Sequence, residues 1–208
     1  MVTTKSATQH RSRDREATRQ RLMAAAGRVL ARDGFAKLGI NAVAAEAKTD
    51  KVLIYRYFGG LPGLMEAYAA TGDFWPTVEE LLNGVSPALP PAEATARMFT
   101  NYRTALAARP LTLEILAWET VERNEITAIL ESQRTKASAE LIEQIKTRAP
   151  NTHFGLETGA TLIAAAIGYL IVRARTISRY SGLDLTSDAE WERVDCEIQR
   201  MLVAAYGQ

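Results

Sequence analysis

Cysteine and histidine are scarce in this chain. The single cysteine, Cys196, has no internal partner, and the two histidines, His10 and His153, lie far apart without metal-ligand spacing. Neither a disulfide framework nor a zinc site is expected, and a reducing cytoplasmic setting fits. Long hydrophobic runs are missing too: the longest, residues 159–172, is bounded by Glu157 and Arg173 and is too short to cross a bilayer as a helix. No basic patch followed by an apolar core opens the chain, so no secretory leader is read. Strand-like alternation and internal repeats are absent. No Ser-His or Cys-His arrangement suggests itself, and "YFGGLPG" lacks the Lys and Ser/Thr of a phosphate-binding loop. No enzyme, no cofactor and no membrane partner are therefore expected.

What is present is ordinary globular composition, 47% hydrophobic and 24% charged over 208 residues, enough to build a core. The net charge of +1 hides a division. Residues 1–60 hold 12 Lys and Arg against 5 Asp and Glu, net +7, whereas 61–208 hold 13 against 19, net −6. A basic module that meets a polyanion, followed by an acidic module with another task, is the reading.

Apolar spacing gives the elements. Residues 1–12 are polar and unpatterned and read as a mobile arm. Leu22, Ala26, Val29 and Leu30 recur at helical spacing within 14–33, and Gly34 stops that helix. Ile40, Val43, Ala44 and Ala47 make a short second helix. After a turn at Lys48 and Thr49, Asp50 caps a third, in which Ile54, Tyr57 and Phe58 share the inner face until Gly59-Gly60 ends it. Three such helices make a helix-turn-helix. Further helices are expected from Pro62 to about 71 and at about 92–108, 110–122, 124–148, 156–180 and from Ser187 or Asp188 to about 206, with breaks at 72–76 and "SPALPP". The fold class is all-α: a helix-turn-helix domain at 1–60 and a larger helical domain at 61–208.

The stretch "GFAKLGINAVAAEAKTDKVLIYRYFGGLPGLMEA" resembles the DNA-binding domain of the TetR family of bacterial transcriptional regulators. Gly34-Phe35, "VAAEA" and "IYRYF" stand in the order and spacing of that family's pattern. The likeness covers about the first 70 residues. Three departures matter: Lys48 stands where the family has a turn glycine, Gly39 where a threonine caps the second helix and touches a phosphate, and Leu61 where many members have a lysine. Phosphate grip is expected to rest on other groups.

With Ile54, Tyr57 and Phe58 turned inward, Lys51, Val52, Tyr55 and Arg56 point outward with Leu53 at the edge. That face enters the major groove in a helix-turn-helix. Lys51 suits guanine N7 and O6, Val52 and Leu53 suit thymine methyl groups, and Tyr55 and Arg56 suit phosphates. Asn41 and Thr49 are further DNA-contact candidates. The other reading is that Val52 and Leu53 pack on protein. Arg11, Arg13 and Arg15 either touch DNA or form a solvated tail.

In the last helix Trp191, Val194, Ile198 and Met201 repeat at 3 and 4, a seam for helix packing. The preceding helix is rich in small residues, among them Gly159, Ala160, Ala164 and Gly168. Both features fit a core as well as an interface, and the family resemblance implies a homodimer through these helices. It also implies an effector pocket, with Phe74, Trp75, Met98, Phe99, Tyr102, Trp118 and Tyr169 as apolar and aromatic lining and Glu114 and Arg173 as polar anchors. Core packing is the competing role for each. The expected protein is a one-component repressor, dimeric on a palindromic operator and released by a small apolar or aromatic effector. The alternatives are a helical ligand-binding protein or enzyme without DNA binding, and a DNA-binding regulator with no effector.

Overall fold

The computed structural model describes residues 3–71, 74–150, 152 and 157–206, with side chains from Arg13 onward except at Glu157 and Tyr206. Gly72, His153, most of the expected loop after Pro150 and the side chains of His10 and Arg11 lie outside the described residues. The chain forms two compact units, one of residues 1–74 with 118–133, the other of 75–117 with 134–208.

In the first unit α1 runs Thr3–Asp33, so helix replaces the unpatterned arm from Thr3 onward. No glycine or proline precedes Gly27, and the polar residues before Leu22 had no apolar stripe to announce the helix. Its second half buries Leu22, Ala25, Ala26, Val29 and Leu30 completely; α1 packs on α2 (Ile40–Glu46) and α4 (Leu61–Ala69), and α3 (Val52–Phe58) packs on α4. A 3-10 turn, Phe35–Lys37, joins α1 to α2. The α3 terminus is set by Gly59, whose left-handed backbone (φ 76°) lets its N–H donate to the Tyr55 carbonyl at 2.9 Å. Gly63 answers a different need. A Cβ there would stand 2.0 Å from the Phe58 carbonyl oxygen, so α4 meets the end of α3 at a distance only glycine allows. Trp118, near the end of α7 (Pro110–Glu119), belongs to this unit and packs on Phe35 with ring centroids 5.7 Å apart.

The second unit holds α5 (Val78–Leu81), α6 (Pro91–Ala107), most of α7, the later part of α8 (Glu125–Arg148), α9 (Glu157–Ala174) and α10 (Asp188–Tyr206). The single turn α5, not expected from the sequence, is fixed by a capping box: the Thr77 N–H donates to Glu80 Oε2 at 2.8 Å, and the Glu80 N–H donates to Thr77 Oγ1 at 3.2 Å. Helix α6 is central, contacting α5, α9 and α10. Met98, Phe99 and Leu106 of α6 share a core with Ile145, Ile167, Ile171, Ile198 and Leu202. The Arg103 guanidinium binds Asp195 of α10 through two hydrogen bonds, 3.1 and 2.7 Å, and lies over the Trp191 ring.

Helix α9 ends at Ala174, six residues before the expected end, and a small hairpin follows. Strands β1 (Arg179–Tyr180) and β2 (Leu183–Asp184) pair antiparallel around Ser181 (φ 46°) and Gly182 (φ 91°). Two consecutive left-handed residues suit a tight hairpin turn. Ser187 caps α10, its Oγ accepting from the Glu190 N–H.

Candidate nucleic-acid interface and ligand cavity

Helix α3 has two chemically opposed faces. Ile54 is fully buried, and Tyr57 and Phe58 are half-buried against α1. Val52 is 58% exposed and Tyr55 55%, with Lys51 and Arg56 exposed beside them and Leu53 half-buried. Asp50 acts at the helix start as expected, its Oδ1 accepting the Val52 N–H at 2.8 Å. Asn41 lies exposed on α2, and Thr49 is half-buried in the turn, where its N–H donates to the Ala44 carbonyl. Thus Lys51, Val52, Tyr55 and Arg56 share one exposed surface, Leu53 lies on its border, and Asn41 stands on the preceding helix.

Electrostatics sharpen this face. Three of the carboxylates in the first 60 residues are engaged by α1 arginines. Glu46 receives Arg28 and Arg32, each at 2.7 Å, Arg32 also binds Asp33 at 2.8 Å, and Glu16 stands 3.7 Å from Arg19. Hydrogen bonds from Arg28 and then Arg32 hold the Glu46 carboxyl below its ordinary range, and the Arg32 hydrogen bond does the same for Asp33. Among the described residues Lys48, Lys51 and Arg56 make no ion pair. The cations nearest the outer surface of α3 are therefore left unneutralised by the described carboxylates.

Two arginines of α1 serve α3 in a way the sequence did not reveal. Arg19 Nη1 donates to the Tyr57 carbonyl at 2.7 Å while its guanidinium lies 4.5 Å from the Phe58 ring centroid. Arg15 sits over Tyr57 at 5.5 Å. A cation on the carbonyl end of α3 complements the helix dipole and anchors the orientation of the exposed face. For Arg15 the sequence suggests a DNA contact or a solvated tail, and carries no sign of this ring contact.

The family departures also have geometry. Lys48 adopts a left-handed backbone, φ 51°, at the turn before α3, a conformation costing a side-chain-bearing residue roughly 1 kcal/mol. Gly39 stands at the start of α2 in extended backbone, with no side-chain cap and nothing within 4 Å of an added Cβ.

In the second unit a cavity of about 470 Å³ lies among α6, α8 and α9. Of the expected lining residues it gathers Trp75, Met98, Phe99 and Tyr102, and adds Leu141, Ile145 and Ala164 among others. Trp75 and Tyr102 stand 6.3 Å apart, centroid to centroid. Phe74 and Trp118 belong to the first unit, Phe74 buried against Tyr68. Tyr169 is half-exposed and rests on Tyr180. Glu114 bonds Arg175; Arg173 is half-buried, its Nε without a hydrogen-bond partner among the described residues. Neither lines the cavity. Burial pushes the Tyr102 hydroxyl up to about 12, so it stays protonated at neutral pH.

The α10 seam divides. Ile198 is 8% exposed and belongs to the core; Trp191 and Val194 are half-buried against that core, and the Trp191 Nε1–H donates to the Leu185 carbonyl. Met201, at 57%, faces outward, as does Leu162 of α9 at 66%. A groove between α9 and α10 is lined by Leu162, Ala166, Leu170, Val194 and Met201. The exposed Leu162 was missed because the small residues around it dominated the reading of α9.

The class these features define is an all-helical protein with an N-terminal helix-turn-helix. The family described as "Bacterial regulatory proteins, tetR family" matches residues 22–68, the helix-turn-helix segment. Among solved structures the fold is shared with a TetR-family transcriptional regulator from Haemophilus influenzae (19% identity, 89% of this chain and 96% of that one, TM-score 0.56) and a TetR-like regulator from a Rhodococcus species (20%, 89% and 96%, 0.57). It is shared also with the fatty acid degradation regulator FadR from Bacillus halodurans (16%, 88% and 93%, 0.58). No curated protein matches the chain in sequence. The chain thus has the fold of TetR-family transcriptional regulators and carries their N-terminal domain.

Proposed function

We propose that the protein is a homodimeric, ligand-responsive repressor whose α3 reads a palindromic operator and whose C-terminal cavity receives the effector that releases it. The observation that carries this reading is the outer face of α3, where Val52 and Tyr55 are more than half exposed beside the unpaired Lys51 and Arg56. Apolar side chains left in water among free cations match thymine methyl groups and phosphates better than any protein neighbour. Lys51 serves as the guanine reader, Val52 and Leu53 as methyl readers, and Tyr55, Arg56, Asn41 and Thr49 as backbone contacts. The 1–60 and 61–208 segments divide DNA reading from effector binding and dimerisation.

The α9–α10 groove supports the dimer: Leu162 and Met201 are exposed apolar groups that a two-fold partner would cover. The cavity beside Trp75 and Tyr102 supports effector binding. A ligand shifts the DNA-binding state only through different affinity for the two arrangements of the protein. Selection of bound duplexes from random sequence tests the whole reading. A two-fold consensus with a guanine next to thymines in each half-site is the expected result, and a pool with no enriched sequence contradicts it.

A further inference from the structure

The cavity walls specify more than apolarity. Trp75, Phe99 and Tyr102 supply ring surface, whereas Ala160 and Ala164 of α9 leave room for a ligand. At about 470 Å³ the space lies toward the small end of the roughly 300–1,000 Å³ found for small-molecule sites, which favours a compact ring system over an extended molecule.

Charge decides the next point. The lining holds one acid and one base, Glu143 and Lys146, and these pair with each other at 3.2 Å three positions apart on α8. An anionic ligand at Lys146 would meet Glu143, and a cationic ligand at Glu143 would meet Lys146. Both side chains keep solvent access, 41% exposed at Lys146 and 74% at Glu143, so the pair screens either charge and the apolar interior of the lining offers an ion no counter-charge of its own. Arg134, the neighbouring cation, holds its guanidinium 6.0 Å from the Trp75 centroid and lies outside the lining.

Of the polar groups in the lining, Tyr102 carries the one hydroxyl on an aromatic ring. The Tyr102 side chain is half-buried, and its hydroxyl makes no hydrogen bond among the described residues. Its oxygen is not cut off from solvent, so a ligand acceptor would take the place of water there. As a protonated phenol in the cavity wall, it offers its O–H to an acceptor from outside the protein.

We propose that the cavity takes an uncharged, compact aromatic molecule bearing one hydrogen-bond acceptor, its rings against Trp75 and Phe99 and its acceptor on the Tyr102 hydroxyl. This rests on the reading of the cavity as the effector site. Calorimetry with four naphthalene probes tests it: methyl 2-naphthoate, 2-naphthoate, 2-naphthylmethylammonium and 2-methylnaphthalene.

The neutral ester binds about tenfold or more tighter than either ion. Tyr102→Phe weakens the ester by about 3–10-fold, the worth of one hydrogen bond, and leaves 2-methylnaphthalene unchanged. Ala164→Trp abolishes binding of every probe with the helical circular dichroism retained, and Ala160→Leu serves the same purpose if that variant unfolds. An ion that binds as tightly as the ester overturns the neutral class and leaves the cavity as a ligand site. An ester unaffected by Tyr102→Phe overturns the hydrogen bond. Failure of every probe to bind, or binding that survives the filled cavity, removes both this inference and the effector reading of the cavity.

Discussion

The two units differ in how much of their charge is paired. In the second, arginines hold helices together: Arg103 binds Asp195, Arg109 binds Glu80, Arg148 binds Glu79 and Arg175 binds Glu114. In the first, α1 arginines do the same for Glu46 of α2 and the end of α3, but Lys51 and Arg56, on the outer face, make no ion pair among the described residues. The contrast is confined to that face, whose cations no carboxylate of the described residues neutralises. Charged substitutions at the second unit's pairs should cost stability and those at Lys51 and Arg56 affinity, which gives the comparison its tests.

The largest effect is expected at Asp195. Its carboxylate and the Arg103 guanidinium are only 15% and 19% exposed, so Asp195→Ala strands a largely buried cation and lowers unfolding stability by about 3 kcal/mol. Denaturant unfolding measures this, and DNA affinity below the transition should hold. Should affinity fall with the protein still folded, the division of labour breaks.

Lys51→Ala should leave stability unchanged and lose about 1–3 kcal/mol of preference for guanine in the half-site, as measured by binding to base-substituted operators. Replacing thymine by uracil removes only the methyl group. Weaker binding to the uracil operator then reports contact by Val52 and Leu53, and equal binding assigns those side chains to protein packing.

A pH series sharpens the contrast inside the first unit. The hydrogen bonds from Arg28 and Arg32 hold the Glu46 pKa below its ordinary 4.5, so folding favours the charged form. The stabilisation is complete above the unfolded-state value and is lost as pH falls through the lowered folded value. Denaturant midpoints should decline on acidification through that window, and Glu46→Gln should flatten the decline. An equally steep decline in the variant assigns the acid sensitivity elsewhere.

The smallest effect is a gain. Gly39 has extended backbone, φ −159°, and open space at its Cβ position, so Gly39→Thr supplies a missing cap and stabilises α2 by about 0.3 kcal/mol. The same hydroxyl should tighten DNA binding modestly in a gel-shift titration. A stabilised variant with unchanged affinity would keep the cap and discard the phosphate contact.

The sequence revealed elements wherever apolar spacing or a terminal signal was strong. Ile54 with its neighbours, the Gly34 and Gly59 stops and the Asp50 cap mark the helix-turn-helix plainly. The start of α1 was illegible because residues 3–13 carry no apolar stripe that a period would expose. The hairpin was missed, its first strand absorbed into the end of an expected long helix, although Ser181-Gly182 is a turn signal, because two-residue strands carry no alternation. At the candidate sites, Lys51, Val52 and Tyr55 followed from helix geometry alone. The cavity depended on which apolar residues meet across α6, α8 and α9; that separates Tyr102 from Trp118, and no local pattern encodes it. The α10 seam drew Ile198 and Met201 together by spacing, yet one is core and the other surface, since an apolar stripe is wider than a single line of contacts.

The most direct test of the account is the salt dependence of binding to the selected operator for the wild type and for the Lys51→Ala/Arg56→Ala double variant. If both cations neutralise phosphates or lie against the duplex in their charged form, each substitution removes about 0.9 from the slope of log affinity against log salt. The wild type should show a steep slope and the double variant one smaller by about 1.8, with both proteins equally folded. Identical slopes would contradict the assignment of α3's exposed face to DNA.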